Sequence, residues 1–124
     1  MSIRKLQSEF ASAFARLVLY AESLGYEVTH GDTNAVNLHL LESYIKDHGF
    51  IGNLKRKFRH VFHSRNSNHY KRLAGDLNLF IDGVYQTSTE AHRPLGEWWE
   101  KQHPKARWGG NFKSPDGNHY ELNE

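Results

Sequence analysis

Cysteine is absent from this chain. That excludes disulfides, thiolate metal sites and cysteine nucleophiles, so the fold must stand on packing, with or without a bound metal. Long apolar runs are missing too. The basic start, Met1-Ser2-Ile3-Arg4-Lys5, leads into a stretch interrupted by Gln7, Ser8, Glu9, Ser12 and Arg16. Nothing approaches the ~20 apolar residues of a membrane span, and no secretory leader is visible, so a cytoplasmic protein without a membrane partner is expected. Acidic residues are lacking from Gly49 to Gly75, where Lys55, Arg56, Lys57, Arg59, Arg65, Lys71 and Arg72 crowd together. Such a basic face suits an anionic polymer, either nucleic acid or cell wall, and is equally compatible with a plain solvated loop.

What is present is ordinary in bulk. The 124 residues, 38% hydrophobic and 24% charged, predict one domain spanning 1–124. The outlier is histidine, nine in all. Most are expected at the surface, His60, His63, His92 and His103 among them, but neutral imidazole is also the commonest protein ligand for zinc.

Leu6, Phe10, Phe14, Leu17, Ala21 and Leu24 recur at steps of three and four, which predicts a helix from about Ser2 to Ser23, stopped by Gly25. Tyr26–Thr29 reads as a short strand. A second helix is expected to start near Asp32–Asn34 and end at Gly49, burying Val36, Leu40, Leu41, Tyr44 and Ile45. Residues 50–68 have no clear period and read as a loop, with a short helical piece at Leu54–Phe62. Leu73, Ala74, Leu77, Leu79 and Phe80 fit a buried strand, turned by Asp82-Gly83 into a return strand at Val84 and Tyr85. A third helix is expected between Thr89 and Gln102, with Leu95, Trp98 and Trp99 on its apolar face. Pro94 should then lie in its first turn, or shift the start toward Arg93. Trp108 leads into a sharp turn at Gly109-Gly110, and His119–Leu122 forms the last strand. The order predicts an α+β fold, with N-terminal helices packed on a small antiparallel sheet.

Asp76 interrupts an otherwise apolar strand. A carboxylate buried there costs several kcal/mol unless it is paired or bound to metal. His69 lies just before that strand, and a histidine from a neighbouring strand would complete two imidazoles and one carboxylate, leaving a tetrahedral zinc one open position for water. Ser114-Pro115-Asp116-Gly117-Asn118-His119 puts a carboxylate in a turn three residues before a histidine. If His119 is that partner, Asp116 is placed to take a proton from an attacking water. Alone, Asp116 reads as a turn former and His119 as a strand residue. It is the two motifs in this order that point to a site.

The stretch Ser67 to Asp76, with its Ser-x-His, variable spacer, Ala and Asp, resembles the zinc-binding signature of the D-alanyl-D-alanine peptidase family. Asp116-Gly117-Asn118-His119 is similar to that family's second motif, and Arg107-Trp108-Gly109-Gly110-Asn111-Phe112 to its Trp-Gly-Gly block. Leu77-Asn78-Leu79-Phe80, Asp82-Gly83 and His92-Arg93-Pro94-Leu95-Gly96 resemble the small phage L-alanyl-D-glutamate endolysins within it. The resemblance covers about residues 63–122. It implies a zinc-bearing fold like that of the Hedgehog and D-alanyl-D-alanine peptidase domains. It also implies His69, Asp76 and His119 as zinc ligands, Asp116 as the base, Ser67 as support for the metal loop, and Trp108 and Gly109 lining the cleft. The chain departs from the pattern at Arg72, where many members have glycine, and at His30-Gly31-Asp32-Thr33-Asn34, where the family's substrate-binding arginine is lacking. Arg65 or Arg59 is the expected substitute.

The implied function is zinc-dependent hydrolysis of the peptidoglycan stem peptide by a monomeric phage or prophage endolysin, reaching the wall through a holin-type pore. The alternatives are a D-Ala-D-Ala carboxypeptidase within the same class, and a non-catalytic zinc-containing protein that binds cell wall or a polyanion. A small nuclease finds no support in the Trp-Gly-Gly block, and no nucleic-acid partner is expected.

Overall fold

The computed structural model describes residues 2–31, 68–69 and 71–124. The expected second helix, the helical piece at Leu54–Phe62, and Arg59, Arg65 and Ser67 lie outside the described residues.

Helix α1 (Ile3–Ser23) begins where the Ser2 hydroxyl accepts the Lys5 N–H at 3.2 Å. Its buried stripe is Leu6, Phe10, Ala13, Phe14, Leu17 and Ala21. Leu24, expected on that stripe, is instead the exposed C-cap. Gly25, at φ 79°, donates to the Glu22 carbonyl, and Tyr26 donates to that of Ala21. This Schellman closure needs the left-handed conformation that glycine adopts without penalty.

The strands are β1 (Glu27–His30), β2 (Ala74–Ile81), β3 (Val84–Gln86), β4 (Ala106–Trp108) and β5 (His119–Leu122). They form an open antiparallel sheet in the order β1-β2-β5-β4, with β3 also pairing β2. Asp82 (φ 52°) and Gly83 (φ 77°) close the β2–β3 hairpin as a two-residue turn with both centres left-handed. With helix α2 (Thr89–Glu100), the described residues make the expected α+β fold. β1 starts one residue later than predicted. β4 was not expected as a strand, because three residues are too short to show a period.

Alternation along the strands divides the chemistry. Gly75, Leu77 and Leu79 of β2, Tyr120 and Leu122 of β5, and Trp108 of β4 turn toward the helices and are buried. Asp76, His119 and Glu121 turn to the opposite face. On the helix side, Phe10 and Phe14 stack at 5.2 Å, and Trp99 meets Phe10, Phe14 and Tyr120 edge-on at 5.8, 6.3 and 6.1 Å. The Trp99 indole N–H donates to the Arg107 and Glu121 carbonyls, both at 3.1 Å, which fastens α2 to β4 and β5. Trp99 is thus core, as expected, and Trp98 stacks on Tyr20 at 4.5 Å.

Pro94 falls in the middle of α2 rather than in its first turn. The start at Thr89 is fixed by Ser88, whose hydroxyl accepts the Ala91 N–H, and by the Arg93 guanidinium, which donates to Glu90 at 2.6 and 2.8 Å. These local bonds offset the one helical hydrogen bond that proline cannot make.

Gly96 lets α2 rest on the Trp108 ring: a Cβ there would stand 2.0 Å from the nearest indole atom. Since both partners are buried, the ring cannot swing aside. Gly96→Ala is expected to destabilise the fold by about 1–3 kcal/mol, read from the urea midpoint at unchanged slope. A midpoint equal to wild type would disprove the close packing.

Candidate metal centre

Asp76 and His119 are directly paired across β2 and β5, so their side chains leave the sheet together. His69 arrives from the turn before β2. That turn is tied by Arg72 N–H to the His69 carbonyl at 3.1 Å and Leu73 N–H to the Asn68 carbonyl at 2.8 Å. Arg72, at φ 58°, takes the left-handed backbone there, which accounts for glycine being common at this position in the family pattern.

Three donor atoms converge. His69 Nε2 lies 3.1 Å from His119 Nδ1 and 3.4 Å from Asp76 Oδ1, and His119 Nδ1 lies 3.2 Å from Asp76 Oδ1. A tetrahedral zinc ion with bonds of ~2.0–2.1 Å sets its ligand atoms ~3.3–3.4 Å apart. The triangle therefore matches one face of that tetrahedron, and two imidazoles with one carboxylate are a donor set that zinc accepts. Among the described residues this is the group of histidine and acidic side chains able to hold a metal. Both histidines are buried and Asp76 is partly so.

The electrostatics follow from that crowding. Burial opposes ionisation of Asp76, but hydrogen bonds and charge from His119 and His69 outweigh it and hold the carboxyl below its ordinary value. Burial likewise opposes protonation of His119, yet Asp76 on one ring nitrogen and Glu121 on the other push it up to about 9. Glu121, though buried, is held low by His119, Arg107 and Asn68.

Glu121 was legible only as part of the last strand. Its carboxylate accepts His119 Nε2–H at 2.7 Å, Asn68 Nδ2–H at 2.7 Å, and the Arg107 guanidinium at 2.9 and 3.1 Å. The signal lay in the spacing His119-x-Glu121, which puts both side chains on one face of a strand.

Asp116 is exposed, in the turn entering β5. Its N–H donates to the Gly109 carbonyl at 2.8 Å, and its carbonyl accepts the His119 N–H at 3.1 Å. With Asn118, Tyr85, Gln86, Thr89 and His92 it lines a polar cleft of about 230 Å³. Trp108 and Gly109, expected to line the cleft, are buried. Trp108 donates its indole N–H to the Gly117 carbonyl at 2.7 Å, and Gly109 leaves room for the Asp116 carbonyl, 2.2 Å from where a Cβ would stand. The Trp-Gly-Gly block thus shapes the 116–119 turn from beneath.

His92, expected at the surface, is buried and shares a hydrogen bond of 3.0 Å with the Tyr120 hydroxyl. Burial lowers its pKa from 6.5. A histidine depressed in the folded state takes up a proton on unfolding, so stability falls as pH drops through the unfolded value. The melting temperature should fall between about pH 6.5 and 5, and more gently in His92→Gln. Equal slopes in the two proteins would refute this.

A family model described as D-alanyl-D-alanine carboxypeptidase matches residues 62–122. No curated protein matches the chain. The matched stretch, just under half of the chain, includes the turn that carries His69 and everything from there to the end of β5, and in it the protein is similar to the D-alanyl-D-alanine carboxypeptidase family of peptidases.

Proposed function

We propose that this protein is a zinc-dependent peptidase that cuts the stem peptide of bacterial peptidoglycan, acting as a phage or prophage endolysin once released to the wall. The observation that carries the reading is the triangle of donor atoms from His69, Asp76 and His119, with edges of 3.1–3.4 Å. The family match over residues 62–122 supports the peptidase class.

In this reading His69, Asp76 and His119 hold the ion. Bound zinc would supply Lewis-acid polarisation of the scissile carbonyl and a water acidified toward neutrality. Asp116 takes a proton from the water as its oxygen bonds to the carbonyl carbon, and returns a proton to the nitrogen as the C–N bond breaks. The backbone bonds of Asp116 to Gly109 and His119 keep that carboxylate in step with the strand that carries His119. A basic side chain, Arg65 in this proposal, steadies the oxyanion or a substrate carboxylate.

Digestion of purified peptidoglycan with and without a chelator, followed by mass analysis, tests the reading. Zinc-dependent release of new amino termini is expected, and the fragment masses separate an endopeptidase from a D-Ala-D-Ala carboxypeptidase. Intact wall, incubated with protein that holds zinc, would overturn the peptidase reading in favour of a wall-binding protein.

A further inference from the structure

Glu121 is a buried carboxylate with donors on both oxygens. One oxygen faces His119 Nε2 at 2.7 Å. Only an N–H can serve there, so when His119 gives up its other proton the lone pair lies on Nδ1, the atom that points at His69 Nε2 and Asp76 Oδ1. The other oxygen takes Asn68 Nδ2–H at 2.7 Å. Asn68 immediately precedes His69, and its carbonyl anchors Leu73 at the foot of β2. One carboxylate on β5 is therefore bonded to one histidine directly and to the turn carrying the other.

We propose that Glu121 is the positioning residue of the metal centre, fixing His119 as an Nδ1 ligand and, through Asn68, holding the His69 turn against β5. The inference rests on the metal reading above. It assigns to Glu121 no contact with substrate. Arg107 has a lesser part: it donates to the oxygen remote from His119, lies half-exposed, and rests over the Phe112 ring at 5.0 Å.

Glu121→Gln is the informative change because a carboxamide cannot satisfy both sides. If its oxygen accepts from His119, its NH₂ meets the donors of Asn68 and Arg107; if it is flipped, the NH₂ meets His119 Nε2–H. Zinc affinity of the whole chain, measured by competition with a chromophoric chelator, should fall about 10–100-fold in Glu121→Gln. The visible absorption of the cobalt-loaded protein should change in position or intensity. Asn68→Ala should weaken zinc less than Glu121→Gln does, and Arg107→Ala should leave it within about threefold while lowering the melting temperature of the metal-free protein. If Glu121→Gln binds zinc within about twofold of wild type with an unchanged cobalt spectrum, the proposal fails. It fails equally if Arg107→Ala weakens zinc as much, since the effect would then be general loosening. A wild-type chain that takes up neither zinc nor cobalt overturns the metal reading and this inference with it.

Discussion

Replacing Asp116 by asparagine should lower turnover on purified peptidoglycan by about 10²–10⁴-fold, the range a positioned general base contributes. Zinc content and fold should survive. The Asp116 backbone bonds to Gly109 and His119 hold the turn, and asparagine forms turns as readily as aspartate. The side chain is exposed, so the stability change should stay below about 1 kcal/mol. Asparagine retains the shape but cannot accept a proton, so kcat should fall far more than KM rises. Three measurements on one preparation decide the matter: amine release, zinc per chain and melting temperature. Full activity in Asp116→Asn would remove Asp116 from the chemistry. Lost activity together with lost zinc would make it a structural residue of the site.

Much of this centre could be read from residue order because its parts are local. The Asp82-Gly83 turn fixes where β2 ends, and alternation then fixes which β2 residues face Asp76's side. The carboxylate inside an apolar strand demanded partners, and His119 lies directly across from it. What escaped reading depends on long-range packing. Trp108 was expected to line the cleft because the resemblance implied it; here Gly96 of the helix and Gly110 of the turn let both close over its ring. His92 looked like one more surface histidine until Tyr120, 28 residues later, gave it a buried partner. Glu121 could not be told from a solvent-facing glutamate, since only the pairing of β4 with β5 brings Arg107 to it, and only the His69 turn brings Asn68. The short β4 was invisible for the same reason: its pairing with β5, rather than any pattern of its own, makes it a strand.

Stripping the metal should destabilise the protein, and by an amount that grows with pH. Without zinc, His119 titrates near 9. Its folded-state pKa is raised above the ordinary 6.5, so the stabilisation from its contacts with Asp76 and Glu121 is fully present below about 6.5 and is lost as pH rises through 9. Asp76 and Glu121 are held below ordinary values of 3.8 and 4.5, so they stay ionised across this window and contribute no slope. Zinc needs His119 deprotonated, so its uptake near neutrality must release that proton, and affinity should rise with pH until about 9. The two trends are opposed. The metal-free protein should melt lower from pH 6.5 to 9, while the zinc-loaded protein gains, at free zinc of 100 times Kd, about 2.7 kcal/mol at any one pH. At fixed free zinc, the gap between their melting temperatures should therefore widen with pH. His69→Ala and His119→Ala should lose both zinc and activity, and their melting temperatures should no longer respond to chelator. His119→Ala should also flatten the metal-free decline between pH 6.5 and 9, because the group that titrates there is gone. Calorimetry with and without chelator, repeated across that range, checks each statement. A wild-type gap that stays constant with pH would mean that His119 does not exchange its proton for the metal.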